Sequence, residues 1–331
     1  MEKIKIYLVR LKLINLKNIF LTAKSISIKT GKNTFFLFFD ILLCCFIFGS
    51  TADDYDKLGF ALINNDRRST YLTTGVNNEI ITKNNSADII PAFKNRTDFY
   101  LHFAKYIKRE FFNIEKIGKE QFVVFLKNNN PVVLKSDNYF VNSEIRVMNL
   151  SEENDYYSLY NRFVDDGHTI IEQFVPMNKS LKEYSPNSLN RLVLTTYCKN
   201  STVYIVKSML CLDGSALPYG FEMKLYVFVN DDGITITDAV DTDGKIIEIN
   251  PSNKNSFKNF KIPYYKRAVS FVKELALSQS EINYAEWTLA VSDDDVLLID
   301  ATANPSLIQP NNDLIRGESG ILSEYRKYIK I

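Results

Sequence analysis

Residues 284–305, YAEWTLAVSDDDVLLIDATANP, restrict the fold of this chain more than any other stretch, because their pattern is that of a β-hairpin. Apolar and polar side chains alternate in both arms, as they do in strands, and three consecutive aspartates at 293–295 supply the turn. In the second arm Asp300, Thr302 and Asn304 share one face. A carboxylate beside short polar side chains can bind a hard cation through oxygen ligands, although a polar strand end that leads into a turn has the same pattern.

The composition excludes several classes of protein. The chain has 331 residues, enough for a large core and for more than one lobe. Its 40 Lys and Arg balance 39 Asp and Glu, so the overall charge predicts no nucleic-acid partner. Four cysteines without a CxxC spacing and only two histidines argue against a zinc site or a disulfide framework, and they fit the reducing conditions of the cytoplasm.

The most apolar run, FFLFFDILLCCFIF at residues 35–48, predicts a buried core helix. Its 14 residues, with Asp40 among them, fall short of the roughly 20 needed to cross a bilayer, and its position does not fit a signal peptide. Residues 1–20 alternate Lys and Arg with Ile and Leu. They predict either a scaffold helix or strand, or an amphipathic helix that contacts the inner face of the membrane.

Helices are predicted before and between the strands. Residues 1–90 form a predicted helical N-terminal region, in which the asparagine-rich residues 77–85 make a linker or exposed turn. Apolar residues at helical spacing predict a helix over residues 93–112, and a second helix over 119–127 ends at the Asn-Asn-Asn-Pro of 128–131. Two further helices are predicted over residues 156–165 and 264–277.

Two short strands carry charged residues that need an explanation. VVLK at 132–135 ends in Lys135, which lies where the strand leaves the core. TIIEQFV at 169–175 is a buried strand with Glu172 inside it, and a buried carboxylate needs a partner. Further strands are predicted over residues 144–150, 188–198, 203–212, 224–230 and 233–240. Strands flanked by helices in this order predict an α+β protein with two lobes that grip a ligand between them.

Several segments resemble, in their order, the ATP-grasp superfamily and in particular its sugar-transfer-associated family, which occurs with cell-surface polysaccharide genes. PVVLK is similar to the strand whose lysine contacts nucleotide phosphate, here Lys135, and IIEQFV is similar to the adenine hinge. SPNSLNRLVLTT is similar to an S-x-N-T-x-R-x-x-T motif, and LLIDATANP to a closing I-E-x-N-x-N-P motif that places Asp300 at a metal-ligand position. FKNRTDFYLHFAKYIKR resembles a lysine-bearing helix, with Arg96 in the place of the lysine.

The resemblance implies an ATP-grasp fold with ATP and Mg²⁺ as cofactors. It divides the chain into the helical N-terminal region, 1–90, and an ATP-grasp domain, 91–331, with a smaller lobe at 91–168 and a larger lobe at 169–331. The residue roles it implies are phosphate contact for Arg96 and Lys135, adenine contact for Glu172, Gln173 and Phe174, metal binding for Asp300, Glu286 and Asn304, and catalysis for Arg191.

Two departures from the family pattern concern phosphate and metal. The loop after the phosphate lysine, residues 136–143, contains no glycine, although a close approach of backbone to phosphate normally requires it. The family's Trp-Asp is here Trp287-Thr288, so a threonine stands where the family has a magnesium-binding aspartate. Glu286 lies on the same strand face as Thr288 and could supply the second carboxylate beside Asp300.

Other departures concern an arginine, an asparagine and a Gln-His pair of the family motifs. The arginine of the S-x-N-T-x-R motif falls on Val193, and Arg191, two positions earlier on the same strand face, could take its place. Thr302 replaces the closing asparagine, and Met177-Asn178 replaces the Gln-His that follows the hinge.

The resemblance and its departures lead to two hypotheses of function. In the first, the protein is an ATP- and Mg²⁺-dependent ligase that activates a carboxylate, on a small molecule or a glycan, in the synthesis or decoration of cell-surface polysaccharide, with other enzymes of that pathway as partners. In the second, the substitutions have abolished catalysis, and the protein binds a nucleotide or a partner as an inactive ATP-grasp module. Loss of one cationic contact can slow phosphoryl transfer by about 10³-fold, so both hypotheses stay open.

Overall fold

A computed structural model describes residues 14–86, 93, 95–138, 146–151, 155–184, 189–214, 223–242, 244–251, 253–309 and 320–331. The helices of these ranges are α1 (Leu16–Thr30), α2 (Thr34–Phe48), α3 (Ala52–Lys57), α4 (Asn65–Arg68), α5 (Thr74–Asn84), α6 (Arg96–His102), α7 (Ile114–Asn128), α8 (Tyr156–Asp165), α9 (Lys179–Tyr184), α10 (Tyr265–Leu277) and α11 (Leu322–Arg326). The strands are β1 (Phe111–Asn113), β2 (Val132–Lys135), β3 (Arg146–Met148), β4 (Ile170–Gln173), β5 (Leu189–Lys199), β6 (Thr202–Gly214), β7 (Met223–Phe228), β8 (Ala239–Asp241), β9 (Ile246–Ile247), β10 (Tyr284–Val291) and β11 (Val296–Thr302).

The strands form two antiparallel sheets. The small sheet has the order β1-β4-β2-β3, and the large sheet has the order β11-β10-β5-β6-β7-β8-β9. Apolar residues of α7 and α8 pack with the small sheet, and those of α10 pack with the large one, in a core that Ile170 of β4 also joins. The predicted α+β class, with a helical region ahead of the sheets, is confirmed.

The predicted C-terminal hairpin is confirmed as β10 and β11. Thr288 pairs with Asp300 and Glu286 pairs with Thr302, and a register shift follows Thr288. The turn is closed by the backbone N–H of Ser292, which donates to the carbonyl of Asp295 at 2.9 Å. The alternation of apolar and polar residues therefore predicted both the strands and the face that their polar side chains share.

The linker predicted for residues 77–85 is wrong, because most of this segment lies in α5. The Thr73 side chain caps the start of the helix. Asn77 is buried: its side-chain amide donates to the carbonyl of Pro305 at 3.1 Å and its oxygen accepts from the Tyr284 hydroxyl at 2.8 Å. Asparagine favours turns when it is exposed, and here hydrogen bonds to the distant hairpin stabilise it within a helix.

The single helix predicted for residues 93–112 is also wrong. Its middle part forms α6, in which Phe99 and Tyr100 pack into the core of the large sheet. Residues 111–113 instead form β1 at the edge of the small sheet, with Phe111 opposite Glu172. Helix α6 ends at His102, and the chain then continues to β1 in the small sheet.

Helices α1 and α2 form an antiparallel hairpin whose apolar residues are only partly buried. Asn15 and Asn33 cap the two helix starts, and Gly31 and Gly49 end the helices with φ angles of +74° and +65°, which favour glycine. One side of α2 is buried, but large apolar side chains on its other side are exposed. The prediction of a buried core helix is therefore correct for only one side of α2.

The acid within this apolar helix lies on the buried side. Arg68 binds Asp40 with both of its terminal nitrogens, at 2.7 and 3.0 Å, and also donates from Nε to the carbonyl of Phe60 at 3.0 Å. The Tyr55 hydroxyl donates to the same carboxylate. Asp40 thus neutralises a buried arginine, and this ion pair joins α2 to α4.

No helix within the described residues is both long and apolar enough to span a membrane. Residues 1–13 of the predicted basic amphipathic segment lie outside the described residues, and the end of that segment begins α1.

The hairpin turn is joined to two other parts of the fold by Asp295. Its carboxylate binds Lys108 Nζ at 2.8 Å, just before β1, and Arg267 Nε at 2.6 Å on α10. The hydrogen bond from Lys108 contributes most to lowering the pKa of Asp295 to about 2, against the opposing effect of partial burial. The pairs are largely exposed, so solvent screening keeps their contribution below about 1 kcal/mol.

We therefore expect Asp295 to give the protein an acid-sensitive contribution to stability. Because the pKa is lower in the folded chain, this contribution is present above the unfolded value near 3.8 and is lost as pH falls through about 2. Thermal unfolding of Asp295→Asn, compared with wild type between pH 3 and pH 7, should show a slightly lower Tm at pH 7 and a smaller difference at pH 3. The exposed neighbour Asp294→Asn is the control, and an equal loss in both variants would contradict the assignment.

Candidate functional site

A cleft lies between the two sheets and encloses about 740 Å³ of space, part of it open to solvent. The small sheet and the segment after it contribute Val133, Lys135, Glu172, Gln173, Val175 and Met177 to its lining. The large sheet contributes Asn190, Arg191, Ala290, Val291, Ile299 and Asp300, and Arg109 lies between the two. The cleft therefore combines apolar walls with a group of charged side chains.

Glu172, on β4 of the small sheet, forms ion pairs with two cations. Lys135 Nζ lies 2.6 Å from its Oε1, and Arg109 Nε donates to its Oε2 at 2.9 Å. All three side chains are buried. Antiparallel pairing explains the contact, because Lys135 lies opposite Ile170 while Glu172 lies opposite Val133, which sets the two residues diagonally across neighbouring strands. The sequence prediction that Glu172 needs a partner is confirmed.

Burial shifts the pKa values of these three side chains. Loss of water raises the pKa of Glu172, and the nearby negative charge of Asp300 raises it further. Burial and the positive charge of Arg109 lower the pKa of Lys135, and burial lowers that of Arg109 to about 10. Each of the three side chains can therefore stay charged in this buried site only because oppositely charged partners lie beside it.

Arg109 was missed by the sequence analysis, although it connects the two sheets. Its guanidinium donates to the carbonyls of Leu298 and Ile299 on β11 while it binds Glu172 on β4, and it lies 5.5 Å from the ring centroid of Tyr100. The available signal was the pair Lys108-Arg109, which only Glu110 separates from FFN, but a helix and not a strand was predicted over this segment.

Arg191 and Asp300 line the opposite wall. Arg191 on β5 lies opposite Ala290, and Asp300 on β11 lies opposite Thr288, so β10 separates the two residues. Asp300 Oδ1 accepts from the backbone of Ala301 at 2.8 Å, and the Asp300 carboxylate interacts electrostatically with Lys135 and Arg109 across the cleft. The structure therefore brings together Lys135 from one sheet and Asp300 from the other.

Glu286 is not among the described residues that line this cleft. Its Oε2 accepts from Thr195 at 3.2 Å and from the hydroxyl of Ser306 at 2.8 Å, and it lies 3.3 Å from Lys207 Nζ. Burial lowers the pKa of Lys207, and Glu286 opposes this shift. The sequence placed Glu286 on the correct face but did not reveal Lys207 on β6, which pairs with it inside the protein.

The remaining predicted residues lie in different surroundings. The Arg96 guanidinium donates to the carbonyl of Ser136, at the start of the loop after β2, most of which lies outside the described residues. Gln173 lines the cleft, and its backbone N–H already donates to the carbonyl of Glu110 at 2.9 Å. Phe174 is half-buried and is not among the cleft residues. Asn304 is exposed beyond β11, where its backbone N–H donates to Thr302.

The cleft offers few oxygen ligands for a metal ion. Within the described residues no group of three or more His, Cys, Asp or Glu is arranged to hold one. Asp300 is the carboxylate on the large-sheet wall, and the hydroxyl-bearing Thr288 is its cross-strand neighbour. Magnesium commonly takes one or two carboxylates together with substrate phosphates and water, so this donor set fits an ion that arrives with a phosphate ligand.

The sequence profile of the family described as sugar-transfer associated ATP-grasp matches residues 118–323. This is more than half of the chain, and it includes both sheets except for β1. The chain belongs to this family, and its fold is an ATP-grasp fold preceded by a helical region.

Solved structures show weaker similarity, and no curated protein sequence matches the chain. An L-amino acid ligase from Bacillus licheniformis shares 13% identity with a TM-score of 0.36, covering 65% of this chain and 41% of its own. An N5-carboxyaminoimidazole ribonucleotide synthetase from Thermus thermophilus shares 11% identity with a TM-score of 0.41, with coverages of 70% and 51%. D-alanyl-alanine synthetase A from Vibrio cholerae shares 8% identity with a TM-score of 0.44, with coverages of 71% and 63%. The chain thus spans less than two thirds of the length of each.

Proposed function

We propose that the protein is an ATP- and Mg²⁺-dependent ligase that activates a carboxylate in the synthesis or decoration of cell-surface polysaccharide. One observation carries this proposal: Lys135 of the small sheet and the carboxylate of Asp300 on the last strand line one cleft. Membership of the sugar-transfer-associated family supports the polysaccharide role and partners from that pathway.

The walls of the cleft suit the two ends of a nucleotide. Apolar side chains such as Val133, Val175 and Ile299 offer flat surfaces to a base, and polar groups at the rim can fix its orientation. Lys135 and Arg109 would meet the phosphates, with Glu172 between them fixing the direction of both side chains. Glu172 would then act through the two cations, and its predicted contact with adenine stays a prediction.

The chemistry assigned to this site has two steps. The carboxylate oxygen of the substrate attacks the γ-phosphorus of ATP, and ADP leaves with the electrons of the broken bond. An amine or another nucleophile then attacks the carbonyl carbon of the acyl phosphate, and inorganic phosphate leaves. Arg191 would neutralise the acyl phosphate, and Asp300 would hold Mg²⁺, which supplies charge neutralisation at the phosphates when it is bound.

A second function, a non-catalytic nucleotide- or partner-binding module, is favoured by the neighbours of Asp300. Thr288 offers a hydroxyl where the family has an aspartate, and Glu286 is engaged with Lys207. Among the described residues, only one carboxylate on the large-sheet wall is thus placed to share a metal with phosphate. A site of this kind could bind a nucleotide and still lack the charge neutralisation that rapid phosphoryl transfer requires.

Calorimetric titration with ATP, with and without Mg²⁺, distinguishes the two functions when it is combined with an assay of ADP release. For the ligase we expect tighter binding with Mg²⁺ and ADP release that depends on added sugar acids or glycans bearing a carboxylate. Binding that is independent of metal, without ADP release, would support the module. Absence of ATP binding under both conditions would exclude the ligase and a module that binds ATP.

Replacement of Asp300 by asparagine tests the metal assignment directly. We expect the affinity for ATP with Mg²⁺ to fall by about tenfold or more, because the variant loses a charged metal ligand. The affinity without Mg²⁺ should be unchanged or higher, because a negative charge near the phosphates is removed. Asp232→Asn, in an exposed turn, serves as the control. Equal losses with and without the metal would contradict the assignment.

A further inference from the structure

The helical hairpin α1–α2 carries a continuous exposed apolar surface, here called the hairpin face. On α2 it consists of Phe35, Phe36, Phe39, Leu43 and Ile47, and on α1 of Leu16, Phe20, Leu21 and Ile28. These nine side chains are between 45% and 79% exposed. The rings of Phe20 and Phe39 both contact the ring of Phe38, which joins the two helices into one surface. Surfaces of this kind mark interaction sites.

The orientation of α2 is the reverse of that expected for a helix facing water. Its single acid, Asp40, is turned inward to bind Arg68, while Phe35, Phe36 and Phe39 point outward. The opposite side, with Leu37, Ile41 and Cys45, is buried against the rest of the N-terminal region. A rotation that hid the phenylalanines would expose this core and break the ion pair, so the fold itself presents the hairpin face.

The positive charge of the chain is concentrated in the same region. Residues 1–48 contain eight Lys and Arg against two Asp and Glu, whereas the rest of the chain contains thirty-two against thirty-seven. Lys17, Lys24 and Lys32 are exposed on or beside the hairpin. The acidic Asp40 is neutralised by its arginine. The apolar surface therefore lies in a part of the chain with a net positive charge.

The positive charge near the hairpin face favours an anionic membrane over a second copy of the chain as its binding partner. A second copy of the chain would bring an equally basic region against the first, and the two would repel each other. Four of the eight cations, together with one acid, belong to residues 1–13, which directly precede the hairpin. An anionic bilayer satisfies both features, because apolar side chains enter the boundary between headgroups and acyl chains while lysines meet lipid phosphates. We propose that the hairpin face docks on the surface of an anionic lipid membrane.

Sedimentation of the full chain with vesicles tests this proposal. The probes are vesicles of phosphatidylcholine alone and vesicles with about 30% phosphatidylglycerol, each at about 0.1 M and 0.5 M NaCl. We expect binding to the anionic vesicles that weakens at the higher salt. Absence of binding to anionic vesicles, or equal binding to neutral ones, would overturn the proposal.

Variants locate the binding surface. Phe35→Ser with Phe39→Ser should weaken vesicle binding by about tenfold or more, and Lys17→Glu with Lys24→Glu by a similar factor. Leu277→Ser removes an exposed apolar side chain at the end of α10 and should change nothing. Circular dichroism and ATP binding check that the variants fold. Unchanged binding in the phenylalanine variant, or a dimer in solution that the same variant dissociates, would contradict membrane docking by this face.

Discussion

Replacement of Glu172 by leucine is expected to lower the free energy of unfolding by about 3–5 kcal/mol. The variant leaves the Lys135 ammonium and the Arg109 guanidinium close together in a place that excludes water. Neither cation then has the carboxylate that offset its loss of hydration. Arg109 also binds the carbonyls of β11, so its displacement should loosen the contact between the two sheets. Denaturant unfolding followed by Trp287 fluorescence measures the loss, since this tryptophan is fully buried in the large sheet.

Two further variants distinguish the effect of uncompensated charge from that of altered packing. Lys135→Met together with Arg109→Met and Glu172→Leu should recover part of the stability, because apolar residues of similar size can replace a buried ion group at little cost, while the carbonyls of β11 lose their donor. Glu324→Ala breaks an exposed ion pair with Lys327 and should change stability by less than about 1 kcal/mol. A triple variant no more stable than Glu172→Leu alone would contradict uncompensated charge as the main cause of the loss.

The local pattern of the chain was enough to predict the strands that form the cleft. Val132–Lys135 and Ile170–Gln173 were recognisable as short apolar strands, and the C-terminal hairpin was recognisable from its alternation. These strands bring Lys135, Glu172 and Asp300 to the cleft, because strand alternation determines the face on which each side chain lies. For these strands, local alternation was therefore a reliable guide.

Partners that lie far along the chain could not be predicted in the same way. Glu172 was expected to have a partner, but Arg109 is 63 residues away and reaches it only because β1 pairs with β4. Glu286 likewise pairs with Lys207 through the order of the large sheet. Sequence spacing contains no information on which strands become neighbours, so the sequence identified Glu172 and Glu286 but not Arg109 and Lys207, which pair with them.

The exposed side of α2 shows a different limit. The run 35–48 is apolar on all sides, and such a run normally predicts burial. Which side is covered depends on packing against other helices, and this packing includes the ion pair between Asp40 and Arg68. Composition therefore predicted a helix correctly, and only its packing revealed that Phe35, Phe36 and Phe39 face outward.

This dependence makes Asp40→Ala the second variant with a large expected effect. Removal of the carboxylate leaves the Arg68 guanidinium mostly buried and should destabilise the N-terminal helices by about 3 kcal/mol or more. Tyr55→Phe, which removes only one hydrogen bond to Asp40, should cost about 1 kcal/mol and is the matched control.

Two probes can localise the effect of Asp40→Ala. The chain has a single tryptophan, Trp287, which donates from Nε1 to Thr196 within the large sheet, far along the chain from α2. Unfolding of the N-terminal helices should therefore lower the helical circular dichroism signal at denaturant concentrations that leave tryptophan fluorescence unchanged. Coincident shifts of both signals would show instead that α5, which hydrogen-bonds to the hairpin through Asn77, makes the N-terminal region and the large sheet unfold as one unit.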